Sequence, residues 1–113
     1  PTYCQRTSAK LWREMSEYLS RNTETSQWLS DLLASTTRSF IRNGIADDQA
    51  LVRNKAGWIS EDGCYSTCDA CLIDVDGDTY IMSIMTSMPW SDRSSELVAA
   101  IAKTFFDTRA ALA

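Results

Sequence analysis

Histidine is absent from the 113 residues, so any metal site would rest on thiolates and carboxylates alone. No apolar run approaches the roughly 20 residues that a helix needs to cross a bilayer. Basic residues are in the minority, 11 Lys and Arg against 15 Asp and Glu, and they form no run, which argues against a nucleic-acid surface. Proline and glycine are scarce, at two and four, and no repeat, low-complexity tract or linker interrupts the chain. With 44% apolar residues the composition is that of a folded chain, not a disordered one. Its length fits one small domain, residues 1–113, burying about two-thirds of the unfolded surface. The chain starts at Pro1 with neither initiator Met nor signal peptide, and the expectation is a processed product or a piece of something longer.

Cysteine is present at four positions, Cys4, Cys64, Cys68 and Cys71. The spacing Cys64-x3-Cys68-x2-Cys71 invites a zinc reading, but three residues apart in a strand puts Cys68 and Cys71 on opposite faces. Partly buried thiols are the leading reading and no metal is assigned; a disulfide such as Cys64 with Cys68 stays open.

The periodicity changes once along the chain. Thr7 or Ser8 suits the cap of a helix whose apolar stripe is Leu11, Trp12, Met15, Tyr18 and Leu19. Thr25 suits the cap of a second, carrying Trp28, Leu29, Leu32 and Leu33. A shorter helical segment holds Phe40 and Ile41 and ends at Asn43-Gly44, a pair that suits a left-handed cap. From there strands are expected at 51–59, 67–75 and 78–88, the last two joined by a hairpin at Asp76-Gly77. Both faces of the later strands are apolar, which predicts a sheet covered on both sides. Ser91 or Asp92 caps a long final helix with Leu97, Val98, Ile101, Phe105 and Leu112 inward. The fold class is thus α/β of the α+β kind: N-terminal helices, a three-stranded antiparallel sheet and a C-terminal helix. The four tryptophans are expected in the core.

One stretch is out of character. Leu51 to Trp58, "LVRNKAGW", places a glycine inside a strand, which often marks close approach of a ligand or another backbone. The order helix, helix, "SFIRNGI", "VRNKAGW", a variable loop, "CDACLIDVDGDTYIMSIMTSM" and a terminal helix resembles the C-terminal part of class A β-lactamases and their penicillin-recognising serine-hydrolase relatives. The resemblance runs from about Thr7 to the end of the chain. In that family a Lys-Thr/Ser-Gly triplet lies on the strand lining the active site, and Lys55-Ala56-Gly57 occupies its place.

The resemblance implies roles for these residues. Lys55, Ala56 and Gly57 would bind substrate, and the backbone N–H of Trp58 would be an oxyanion donor, with no cofactor. Ala56 stands where a hydroxyl residue normally contacts the substrate carboxylate, and one hydrogen bond to a charged group is worth about 1.5–3 kcal/mol. The family's other two motifs have no match. Ser8 has Lys10 at the wrong offset for Ser-x-x-Lys, while Ser30-Asp31-Leu32 and Ser91-Asp92-Arg93 miss the last residue of Ser-Asp-Asn.

The expectation is therefore a C-terminal fragment of a partial β-lactamase/transpeptidase-like fold, inactive alone, whose parent hydrolyses β-lactams or related amides and esters through an acyl-enzyme. The alternative is a non-catalytic binding or structural module on the same scaffold. The expected partner is the N-terminal portion of the same protein, or a second copy, meeting strand 78–88; the complete parent would take a small-molecule substrate. The family implies an extracytoplasmic or secreted location in a bacterium. Arg42 is expected in an ion pair with Asp47 or Asp48, and Glu61 and Asp62 as loop residues without catalytic work; Tyr65 is assigned no role.

Overall fold

The computed structural model describes residues 5–46 and 48–112. Cys4, and Asp47 as a partner for Arg42, lie outside them. Helix α1 spans Gln5–Leu19 and α2 spans Glu24–Ala34. A 3-10 turn, Arg42–Gly44, precedes strands β1 (Leu51–Glu61), β2 (Cys64–Val75) and β3 (Asp78–Thr86). Helix α3 (Asp92–Asp107) and a terminal 3-10 turn, Arg109–Leu112, complete an α+β fold.

Helix α1 begins ahead of the expected cap. Nothing in Gln5-Arg6-Thr7 breaks a helix, so Thr7 and Ser8 lie inside it, and Ser8 is 2% exposed. Its buried stripe is Ser8, Trp12 and Leu19 with Met15 and Tyr18 beside them, whereas Leu11 faces outward. The turn after it is made by Asn22, at φ 55°, a left-handed conformation that asparagine tolerates. The α2 cap is Thr23, two residues before the expected Thr25. Its hydroxyl accepts from the Ser26 N–H while the Ser26 hydroxyl accepts from the Thr23 N–H. Of the expected apolar residues of α2, Leu33 and Leu29 pack inward; Trp28 is 63% exposed.

The sheet has the order β1-β2-β3, antiparallel throughout. The hairpin at Asp76-Gly77 forms with φ of 53° and 85°, as the pair requires. The expected variable loop before β2 is instead a continuation of both strands to a two-residue turn, with Gly63 at φ 78° and Glu61 opposite Cys64. β3 stops at Thr86, short of Met88. The Met88 carbonyl leaves the ladder to accept from the Thr67 hydroxyl at 2.9 Å.

Side chains alternate between two cores, so both faces are covered. On one face Val52, Ala56, Cys71, Ile73, Val75 and Ile84 pack with Phe40, Ile41 and α3. On the other, Ala70 and Leu72 pack with Trp12, Leu19 and Leu33 of α1 and α2. Ser91 caps α3, and its buried residues are Ser94, Val98, Ala102 and Phe106. That stripe is rotated from the expected one, leaving Leu97, Phe105 and Leu112 exposed. The cause is Gly44: a Cβ there would lie 2.1 Å from the Ala99 carbonyl oxygen, so this glycine serves close packing on α3 and has no left-handed backbone.

Candidate active site

β1 is an edge strand among the described residues, and the alternation of the pleat splits Lys55–Trp58 between its two faces. Lys55 and Gly57 sit on the α1/α2 face, where they line a cavity of about 420 Å³ with Ser8, Leu11, Trp12 and Met85. Lys55 is exposed; its ammonium donates to the Ala56 carbonyl and forms no ion pair among the described residues. A Cβ built on Gly57 meets nothing within 4 Å, so the space above it is open and no neighbouring side chain claims it. Ala56 points to the other face, is 4% exposed, and stands opposite Asp69 in the register.

Asp69 is the centre of a polar cluster behind this strand. Its carboxylate accepts from the Ser39 hydroxyl at 2.8 Å, the Ile41 N–H at 3.0 Å and the Asn54 amide at 2.9 Å. Burial pushes the Asp69 carboxyl above its usual range, against hydrogen bonds from Asn54, Ile41 and Ser39 that favour its ionised form. Asn54 also donates to the Arg38 carbonyl at 3.1 Å, so the cluster holds segment 38–41 against β1. Arg42 belongs to the same cluster and forms no ion pair among the described residues. Its guanidinium donates to the Thr36 and Val52 carbonyls, at 2.7 and 2.9 Å, and to Asn54 at 3.0 Å. Those acceptors are buried backbone and amide oxygens that need donors, whereas Asp48 is an exposed carboxylate that water satisfies.

Beside the strand edge lies a group that sequence reasoning missed. The Arg38 guanidinium carbon is 5.4 Å from the Trp58 ring centroid and 4.7 Å from that of Trp90, the two rings being 5.3 Å apart. Phe40 meets Trp58 edge-on at 6.2 Å, and the backbone N–H of Trp90 donates to the Ser60 hydroxyl at 2.9 Å. Trp28, Trp58 and Trp90 are all exposed, so the expectation of four core tryptophans holds for Trp12 alone. Arg38, Lys55, Ala56 and Trp58 line a second cavity of about 230 Å³ with Thr36 and Thr37. No linear motif joins residues 38, 58 and 90; only folding does.

The family model for the beta-lactamase enzyme family matches residues 2–108. The chain belongs to that family. Its coarse functional reading is accordingly a β-lactamase-like hydrolase. No curated protein and no solved structure matches the chain. The matched span contains β1 with Lys55-Ala56-Gly57 and the full sheet and α3 behind it, consistent with a partial β-lactamase-like fold.

The cysteines stand apart from this constellation. Cys64, Cys68 and Cys71 are free thiols, and no three His, Cys, Asp or Glu side chains come together as metal ligands among the described residues. The pleat sends Cys68 to the α1 face, lining the larger cavity, and Cys71 to the α3 core. Burial, and then the neighbouring Asp69 charge, push the Cys71 thiol far above its usual value. Glu61 and Tyr65 are exposed at the far end of the first hairpin, and Asp62 is exposed in its turn. No described helix is long and apolar enough to cross a membrane.

Proposed function

We propose that this chain supplies the substrate-binding strand of a β-lactamase-type serine acyl-transfer site, with the nucleophile contributed by the N-terminal portion of the same protein. The observation that carries the reading is the open space over Gly57, flanked by the Lys55 cation, which has no ion pair among the described residues, on a strand edge without a partner among them in a member of this family. A substrate amide lying along that edge brings its carbonyl to the Trp58 N–H. A serine hydroxyl from the missing portion then adds to the carbonyl carbon, giving its proton to a base, and the oxyanion is held by the backbone donor. Collapse breaks the C–N bond, the leaving nitrogen takes the proton, and water releases the acyl group from the serine in a second step. Lys55 holds the substrate carboxylate by charge.

The same N-terminal portion, or a second copy of the chain, covers the outer edge of β3. Support comes from the edge itself: Ile81 is exposed, and Phe105 and Leu112 stand over an apolar cavity of about 220 Å³ beside Tyr80, Met82 and Ile84. The complete protein works outside the cytoplasm of a bacterium, where such substrates are met. Labelling the full-length gene product with a fluorescent penicillin tests the reading. A covalent serine adduct is expected, lost or strongly slowed in Lys55→Gln. A folded protein that takes no label favours the second reading, a non-catalytic binding module, for which the missing hydroxyl at Ala56 is the supporting observation.

A further inference from the structure

Three sulfur side chains line one cavity of this fold. The register sets Cys68 of β2 opposite both Gly57 of β1 and Met85 of β3, so this row crosses the sheet on a single face. Met15 reaches the same cavity, of about 420 Å³, from α1. Side chains directly opposite on antiparallel strands have Cβ atoms about 4.5–5.5 Å apart, close enough for the Cys68 thiol and the Met85 thioether to share one ion. All three side chains are half-buried, so an ion can reach them from solvent. Gly57 adds no side chain to the row and leaves room beside the thiol.

The chemistry of the set is selective. Thioethers are ligands that a search for thiolates and carboxylates leaves aside, and together with a thiolate they suit soft ions such as Cu(I). Hard cations need oxygen ligands, yet the Asp69 carboxylate is held on the opposite face by Ser39 and Ile41. Structural zinc takes four ligands from thiolate, imidazole and carboxylate, and no three such groups gather among the described residues. Charge points the same way. Lys55 brings a positive charge to the cavity, so a monovalent ion neutralised by one thiolate fits where a divalent ion would leave a second positive charge beside it. The Ser66 hydroxyl lies 2.9 Å from the Cys68 sulfur and can donate to the thiolate, the outer contact that orients a metal ligand.

We propose that Cys68, Met85 and Met15 bind a single soft monovalent metal ion, Cu(I) or Ag(I), on the α1 face of the sheet. Binding releases the Cys68 thiol proton to solvent, changes no oxidation state, and ties α1 to β2 and β3 through the ion. The site stands independently of the acyl-transfer reading, and no step of that chemistry runs through it.

Ag(I) serves as the probe for chemical shifts, since it shares the soft preference of Cu(I) and is stable in air. The chain, labelled at its methionine methyl groups, is titrated with Ag(I) in chloride-free buffer. The Met15 and Met85 methyls should shift together, while Met82, packed on the other face, stays in place. Cys64→Ser removes the exposed thiol as a competing ligand and should leave that coupled shift intact. Cys68→Ser should abolish it. Affinity for Cu(I) is measured anaerobically against a chromophoric chelator; Met15→Leu and Met85→Leu should each weaken it by about tenfold or more, and Ser66→Ala by about tenfold. Near-ultraviolet circular dichroism establishes that each variant is folded. A coupled shift that survives in Cys68→Ser, or methionine methyls that do not move at saturation, overturns the proposal. So does Cu(I) affinity unchanged in both methionine variants, or Zn(II) bound as tightly as Cu(I).

Discussion

Gly57 and Gly44 are both glycines in ordered backbone, and a methyl group would affect them in opposite ways. At Gly57 the space is open and the backbone is not left-handed, so Gly57→Ala should leave the fold intact or stabilise it by about 0.4–1 kcal/mol through the unfolded state. The same methyl would stand where substrate is proposed to lie, so binding of benzylpenicillin should fall by tenfold or more while the urea midpoint stays or rises. Joint loss of stability and binding would assign Gly57 to packing. Asp69→Asn tests the cluster behind the strand. An amide has one acceptor oxygen for three donors, so the variant should lose about 1–3 kcal/mol in urea denaturation. The pH dependence has a definite sign. Folded Asp69 holds its proton more tightly than the unfolded chain does, so its contribution is greatest in acid. It declines as pH rises from about 4 through the raised folded value, and the gap between wild type and Asp69→Asn should narrow over that window.

Elements meet here through small residues. The 3-10 turn reaches α3 only because Gly44 has no side chain against Ala99, and that contact sets which stripe of α3 faces inward. Gly44→Ala should cost at least about 2 kcal/mol, in the manner of overpacked cores, seen as a lower thermal midpoint. β3 has the opposite character. Its outer edge has no partner among the described residues, and its sequence from Thr79 to Met88 carries no charge, proline or glycine to discourage pairing. Concentration-dependent light scattering is expected for the chain at micromolar concentration, and Ile81→Lys should suppress it. Ile81 is the better place for the charge than Ser83, whose hydroxyl is buried without a partner. A scattering signal that Ile81→Lys leaves unchanged would move the association to another surface.

At the scale of the whole molecule, one sheet separates two cores, and each core belongs to helices from a different part of the chain. Cys71 lies fully buried in the α3 core while Cys64 is exposed, so the thiols report on this architecture. A disulfide reagent at pH 8 should modify Cys64 at once in the native chain and leave Cys71 unmodified until denaturant opens the core. Rapid modification of Cys71 without denaturant would mean that α3 detaches from the sheet on its own.

The sequence by itself determined the elements whose signals are local: the two long helical stripes, the Asp76-Gly77 turn with its positive φ values, the Ser91 cap, and three strands with apolar residues on both sides. It also determined the family, because "NKAGW" and the strands after it keep their order along the chain. The tertiary structure decided what local signals cannot hold. Which stripe of α3 is buried depended on a glycine some 55 residues earlier, and Ser8 became a core residue because α1 runs past its expected cap. By sequence Arg42 has Asp47 and Asp48 nearby as ion-pair partners, but its guanidinium is taken up by carbonyls it meets only after folding. Arg38, unremarkable between Thr37 and Ser39, acquires two indoles from strand β1 and from the loop before α3. Periodicity records the distance of a residue from its chain neighbours; a cation's surroundings are set by residues that the sheet, and not the sequence, brings near.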